Sequence, residues 1–162
     1  MNKKNMSYEI CIAKEEDIEE IAKLARQSGK LHQEKEPTFF RKCNLSNNSE
    51  YIKKVIEDEY AEVFKAYDEN KKIIGYLTLY LHDCSKEFFV YPEFGYIGDL
   101  CVDENYRQQG IAQALISEAE NYLQSRGIKS IELDVFAFNQ KANNLYEKLG
   151  YRNLKHRKRK LL

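Results

Sequence analysis

The chain has 162 residues, a length that fits one domain with a substantial buried core. Its 26 basic and 26 acidic side chains cancel, so no global field recruits nucleic acid or an anionic membrane, and charge selectivity has to be local. No apolar run approaches the roughly 18 residues of a membrane span; Lys3 and Lys4 precede no leader-like apolar region, and Cys11, Cys43, Cys84 and Cys101 show no metal-ligand spacing, which predicts a reduced, cytoplasmic protein.

Residues 8–13 alternate with β-branched content and predict a first strand after about seven flexible residues at the N-terminus. Glu15, Glu16 and Asp17 place negative charge where a helix N-terminus favours it, and Ile18, Ile21, Ala22 and Ala25 recur at the spacing of one buried face. Gly29 is the expected end of that helix. Residues 31–45 read as a loop or short helix, because Pro37 forbids a long one. Asn48 or Ser49 is the expected cap of a second helix with Ile52, Val55 and Ile56 inward. Residues 61–67 and 72–81 flank the polar turn Asp68-Glu69-Asn70-Lys71 and predict an antiparallel pair.

The stretch 96–123 organises the rest. An apolar strand, Tyr96-Ile97-Gly98-Asp99-Leu100-Cys101-Val102, runs through Arg107-Gln108-Gln109-Gly110-Ile111-Ala112 into an amphipathic helix that Gly127 is expected to cap. A strand that stops, a glycine loop and a helix that starts there present free N–H groups and the positive end of a helix dipole, which suit a pyrophosphate. Residues 131–135 then read as a strand, Ala142, Leu145, Tyr146 and Leu149 as a helix stopped by Gly150, and 151–162 as a basic terminal strand. This order predicts a mixed α/β architecture, with a mostly antiparallel sheet in one domain over 8–162 and a parallel pair within 96–135. Neither GxxxxGKS/T nor GxGxxG is present, which argues against a P-loop nucleotidase and a dinucleotide fold.

Arg107-x-x-Gly110-x-Ala112, following Leu100-Cys101-Val102, resembles the Q/R-x-x-G-x-G/A motif of the GCN5-related N-acetyltransferases. Downstream, Leu133-Asp134-Val135, Asn139, Ala142, Leu145-Tyr146 and Leu149-Gly150-Tyr151 resemble that family's next strand and its N-x-x-A-x-x-L-Y-x-x-x-G-F/Y segment. The resemblance implies an acyl-CoA N-acyltransferase fold, whose central strand splays from its parallel neighbour between flanking helices. It implies acetyl-CoA as cosubstrate, with no metal. The pyrophosphate would rest on the N–H groups of Gln108, Gln109, Gly110, Ile111 and Ala112, with Arg107 adding charge if it turns inward. The pantetheine arm would follow Leu100, Cys101 and Val102, and Asn139 and Ala142 would lie beside the cofactor. Asn139 can equally be a helix cap, and Cys101 reads as a small buried filler rather than a nucleophile.

An amine acceptor is ammonium at neutral pH and needs a base before it can attack a thioester. Asp99, just before the splay, is the first candidate and Glu93 the second; the other reading of Asp99 is a structural carboxylate. The family places a tyrosine acid where Tyr146 stands, although its spacing also suits a core aromatic. Gly98 stands where some polyamine-acetylating relatives carry glutamate, which weighs against polyamines. In the segment where the family lines its acceptor pocket, Phe39 and Phe40 can form walls and Glu34 can attract the amine. His32, with no second ligand, is not a metal site. The run Lys155-His156-Arg157-Lys158-Arg159-Lys160 reads as a solvated strand rather than a nucleic-acid site.

The expected activity is direct acetyl transfer to a primary amine on a small molecule or peptide. A non-catalytic acyl-CoA-binding module and a protein N-terminal or lysine acetyltransferase are the alternatives, and a homodimer is possible.

Overall fold

The computed structural model describes residues 7–41, 45–84 and 89–162, without the side chains of 45–47. Of the seven N-terminal residues expected to be frayed, 1–6 lie outside that range. Strands β1 (Tyr8–Ile12), β2 (Ala61–Asp68), β3 (Ile73–Asp83), β4 (Glu93–Val102) and β5 (Ile131–Leu133) form one sheet in that order. Pairing is antiparallel from β1 to β4 and parallel between β4 and β5. The mixed sheet read from the sequence is therefore present.

Helices cover both faces, which is why Ile73 through Leu79 on β3 are all buried. On one face lie α1 (Ile18–Lys35), entered through the 3-10 turn Glu15–Asp17, and α2 (Leu45–Glu57). Ile18, Ile21, Leu24, Ile52 and Val55 pack there with Val63, Tyr76 and Cys101. On the other lies α3 (Ile111–Ser125), whose Ile111, Leu115, Ile116 and Leu123 meet Phe64, Leu77, Leu79 and Ile97. Helix α4 (Gln140–Lys148) adds Leu145 and Tyr146, and its C-cap Leu149, to the margin of this second core. Each fully buried aliphatic side chain contributes about 1.5–3 kcal/mol, so apolar packing of the two layers dominates.

Polar contacts fix how the layers meet. Asp17 accepts from the Lys14 N–H at 2.7 Å and from Lys65 Nζ at 2.6 Å, tying the entrance of α1 to β2. At the β2–β3 turn, Asp68 Oδ1 accepts from the N–H groups of Asn70 and Lys72, while Lys71 adopts a φ of 64°. Gly127 and Gly150 follow α3 and α4 in left-handed conformations, as expected of C-terminal glycines.

Several boundaries differ from the sequence reading. Gly29 does not end α1, which runs on to Lys35. A glycine inside a helix costs only about 1 kcal/mol, and the true stop is Pro37, which disfavours helix at the residue before it. Residues 31–35, expected to be irregular, are therefore helical. Helix α2 starts at Leu45, so Asn48 and Ser49 lie inside it rather than capping it. Strand β5 ends at Leu133 rather than 135. The expected terminal strand is absent from 151–162, where all residues but Tyr151 are exposed.

Candidate active site

A bulge decides which face of the sheet carries Asp99. Thr78 pairs with Asp99 but Leu79 pairs with Ile97, so Gly98 is the extra residue of β4. In a regular strand residues 97 and 99 share a face. The bulge instead leaves Ile97 against α3 and delivers Asp99 to the α1–α2 side. Glycine is required at 98, because a Cβ there would stand 2.6 Å from the Tyr80 ring and 3.0 Å from Thr78 Oγ1. Parallel pairing of β4 with β5 stops at Ile97 and Leu133. Beyond it the edge of β4 from Gly98 to Val102 leaves β5, which is the expected splay.

Asp99 is held from two sides. Its N–H donates to Thr78 Oγ1 at 2.8 Å, and Tyr51 on α2 donates to Oδ2 at 2.7 Å. Tyr80 stands 3.0 Å from the Tyr51 hydroxyl, so two phenols and a carboxylate form a chain. Burial raises the Asp99 pKa above the usual carboxylate value, against the opposing effects of the Tyr51 hydrogen bond and the His32 charge. Burial, with the Asp99 charge second, also raises Tyr51, so that phenol stays a donor. The arrangement supplies a carboxylate that takes a proton more readily than a solvated one does.

Around it stands a ring cluster. His32 on α1 meets Phe40, Phe136 and Phe138 with centroids 5.3, 5.5 and 5.5 Å away. Phe39 packs on Phe40 at 5.0 Å and on Phe136 at 5.4 Å. His32 Nδ1 lies 2.8 Å from the Ser28 carbonyl, which can only accept, so Nδ1 carries hydrogen. The expected walls Phe39 and Phe40 thus belong to a larger ring cluster built on His32, which interacts electrostatically with Asp99. Glu34 faces Lys30 at 4.0 Å in solvent. Glu93 lies exposed at the start of β4.

At the other end of the splay the chain forms a rigid turn. Asp103 Oδ1 caps the 3-10 turn Glu104–Tyr106 by accepting from the Asn105 N–H at 3.0 Å, and its Oδ2 accepts from Lys72 at 3.0 Å. Tyr106 donates to Asp68 at 3.2 Å. Gln108 and Gly110 then take left-handed conformations, with φ of 62° and 83°. Gly110 is the N-cap of α3 without a side-chain cap bond, so the first-turn N–H groups, including those of Ile111 and Ala112, are not occupied by a capping side chain. Arg107 turns back, its Nε donating to the Val102 carbonyl at 3.1 Å. Gln109 is exposed in the same turn.

Leu100 and Val102 are half-buried on the diverging edge, with Cys101 between them. Cys101 is 6% exposed and donates from Sγ to the Leu24 carbonyl at 3.3 Å. Burial pushes its thiol up to about 12, so it is a filler and not a thiolate. Asn139 caps α4, its Oδ1 accepting from the Ala142 N–H at 3.3 Å. Tyr146 is half-buried against Tyr151 at 5.6 Å, and burial pushes its phenol up to about 12. At neutral pH it can only donate a proton.

Tyr51, Tyr80, His32, Phe136 and Phe138 were not assigned to the site from sequence. The available signal was slight: Tyr51 sits one position before the inward stripe of α2 that starts at Ile52, and two phenylalanines follow β5.

An unpaired strand edge that leads into an open helix N-terminus, with an embedded carboxylate beside it, has the layout of an acyltransferase taking a long cosubstrate. The chain belongs to the Acetyltransferase (GNAT) family, matching it over residues 18–151. It is similar to the Uncharacterized N-acetyltransferase YhfO of Bacillus subtilis (strain 168), with 29% identity over 116 residues that cover 70% of this chain and 74% of that protein. The ribosomal protein bS18-alanine N-acetyltransferase of Escherichia coli (strain K12) is 38% identical over 53 residues, 33% of this chain and 36% of that one. Among solved structures, a tetramutant of the BH1408 protein from Bacillus halodurans superposes with a TM-score of 0.89 and 29% identity over 95% of this chain and 99% of that chain.

Proposed function

We propose that the protein, as one domain over 8–162, transfers the acetyl group of acetyl-CoA directly to a primary amine. The observation that carries this reading is the bulge at Gly98, which sets the Asp99 carboxylate beside the diverging β4 edge. The backbone of Leu100, Cys101 and Val102 would pair with the pantetheine arm. The N–H groups of Gln108, Gln109, Gly110, Ile111 and Ala112 would hold the pyrophosphate at the positive end of α3. Arg107 and Asn139 serve their own turns first, bracing the strand end and α4, and their side chains flank the cofactor.

Asp99 takes the proton of the acceptor ammonium, and its raised pKa makes that transfer easier. The freed amine attacks the thioester carbonyl and the carbon–sulfur bond breaks; Tyr146 supplies a proton to the departing thiolate, and the second proton, shed by the nitrogen as the amide forms, restores the phenol through solvent while Asp99 releases its own to solvent. Direct transfer is favoured because the Cys101 thiol is buried, hydrogen-bonded and protonated. Phe39 and Phe40 line the acceptor side with His32 and Phe136.

The test is a CoA-release screen with purified protein over polyamines, amino acids, aminoglycosides and peptides. Amine-dependent release is the expected result. Acetyl-CoA binding without release on any amine would sink the reading in favour of a binding module.

A further inference from the structure

The basic run at 155–160 has no part in the machinery above, yet its course brings it to the acceptor side. The Arg159 guanidinium stands 5.1 Å over the Phe39 ring. Arg157 acts electrostatically on Tyr96, which pairs with Glu132 across the β4–β5 seam. All six residues of the run are exposed, so their charges face solvent instead of a buried acid. In a chain whose 26 bases and 26 acids cancel, six consecutive residues without an acid concentrate a positive field at one place. That place is the outer wall of the ring cluster, where Phe39 is 48% exposed, and the inner end of the same cluster is His32, whose charge acts on Asp99.

Resting on acetyl transfer with Asp99 as base, we propose that the acceptor is the amine of a polypeptide with acidic side chains a few residues beyond it, held by Arg157, Arg159 and the adjacent lysines. Separation favours a peptide over a single acidic amino acid. From His32 the path to Arg159 passes through Phe136 and Phe39 in steps of 5.5, 5.4 and 5.1 Å. An extended chain advances about 3.3 Å per residue, so carboxylates about three to five residues from the amine span that path, while the carboxylate of one amino acid does not. Between them the exposed Phe39 and the half-buried Phe136 offer the intervening residues an apolar floor. Nucleic acid is the weaker occupant, because the run carries no Phe, Tyr or Trp for base stacking and the chain as a whole has no net charge to draw a polyanion.

The experiment measures initial CoA release by the full chain at saturating acetyl-CoA on matched peptides bearing Glu, Gln or Lys at positions three to five. An exposed ion pair shifts an equilibrium by a factor of about 1.5–5, so two or three together should raise kcat/KM for the Glu peptide about tenfold over the Gln peptide. The gain should lie in KM and shrink at about 0.5 M salt, where screening is strong. In R157E/R159E the order should reverse in favour of the Lys peptide. Because Arg159 also packs on Phe39, K158Q/K160Q is the second variant, expected to lower the Glu-to-Gln ratio about threefold. Equal rates on the three peptides, a Lys preference in the wild type, or a Glu preference that survives both variants and salt overturns the inference and leaves acetyl transfer standing. So does stronger inhibition by a single-stranded RNA oligomer than by the Glu peptide. Failure of every amine to release CoA overturns the proposed function, and this inference with it.

Discussion

Asp99 works under two opposed influences, and Tyr51 is where they can be separated. Burial raises the carboxyl pKa, and the 2.7 Å hydrogen bond from Tyr51 holds it down. In its proposed role as base Asp99 must be ionised, so the rate should fall as pH drops through that pKa. Tyr51→Phe removes the restraint, and the acidic limb of kcat/KM is expected to move to higher pH, by an amount that a pH–rate profile reads directly. An unmoved limb counts against Asp99 as the base. Tyr146→Phe deletes a phenol that is protonated at neutral pH. Turnover should fall about 100-fold or more with acetyl-CoA affinity unchanged by calorimetry. At this scale the sequence marked Asp99 and Tyr146 but could not supply their partners. Tyr51 reaches Asp99 only because the bulge at Gly98 reverses the facing of the strand, and strand parity after a bulge is not visible in a pattern of apolar residues.

The turn between β4 and α3 is an element in its own right. Its geometry rests on Asp103, 4% exposed, which accepts from Asn105 and Lys72. Although burial works the other way, these donors keep the Asp103 carboxyl below its usual range. Its contribution to stability is therefore present above the unfolded pKa and is lost as pH falls through the depressed folded one. Asp103→Ala is expected to cost about 1–3 kcal/mol in denaturant unfolding at pH 7 and to weaken acetyl-CoA binding. Gly110→Val acts on the same turn by another route. At φ 83° a β-branched residue is strained by about 1–3 kcal/mol, while the nearest atom to an added Cβ is the Tyr8 hydroxyl at 3.8 Å. Backbone conformation, rather than lack of room within the chain, is thus what glycine provides, and the expected loss of cofactor affinity is checked by calorimetry. The loop was legible because glycine, helix periodicity and strand end fall in one short stretch. The α1 boundary was not, since Gly29 gives a weak stop signal and Pro37 a strong one eight residues later.

For the whole molecule, a sheet covered on both faces depends on α3 as its second layer. Leu115 is fully buried, and Leu115→Ala should cost about 2–5 kcal/mol in chemical denaturation without moving the pH–rate profile, because its layer lies opposite Asp99. The strand order and helix layers were readable because apolar periods of two and of about 3.6 alternate along the chain. The C-terminal segment was misread for a related reason. Its basic run was read as the solvated part of a strand, but no apolar face on 152–160 asks to be buried, and the segment stays exposed.

The sealed thiol of Cys101 also bears on how the two substrates of the proposed transfer meet. With Sγ committed to the Leu24 carbonyl and 6% of the residue exposed, the acetyl group has no resting place on that strand. On the proposed direct transfer, donor and acceptor are present together. Double-reciprocal plots should intersect rather than run parallel, and label should not exchange between acetyl-CoA and free CoA until an amine is added.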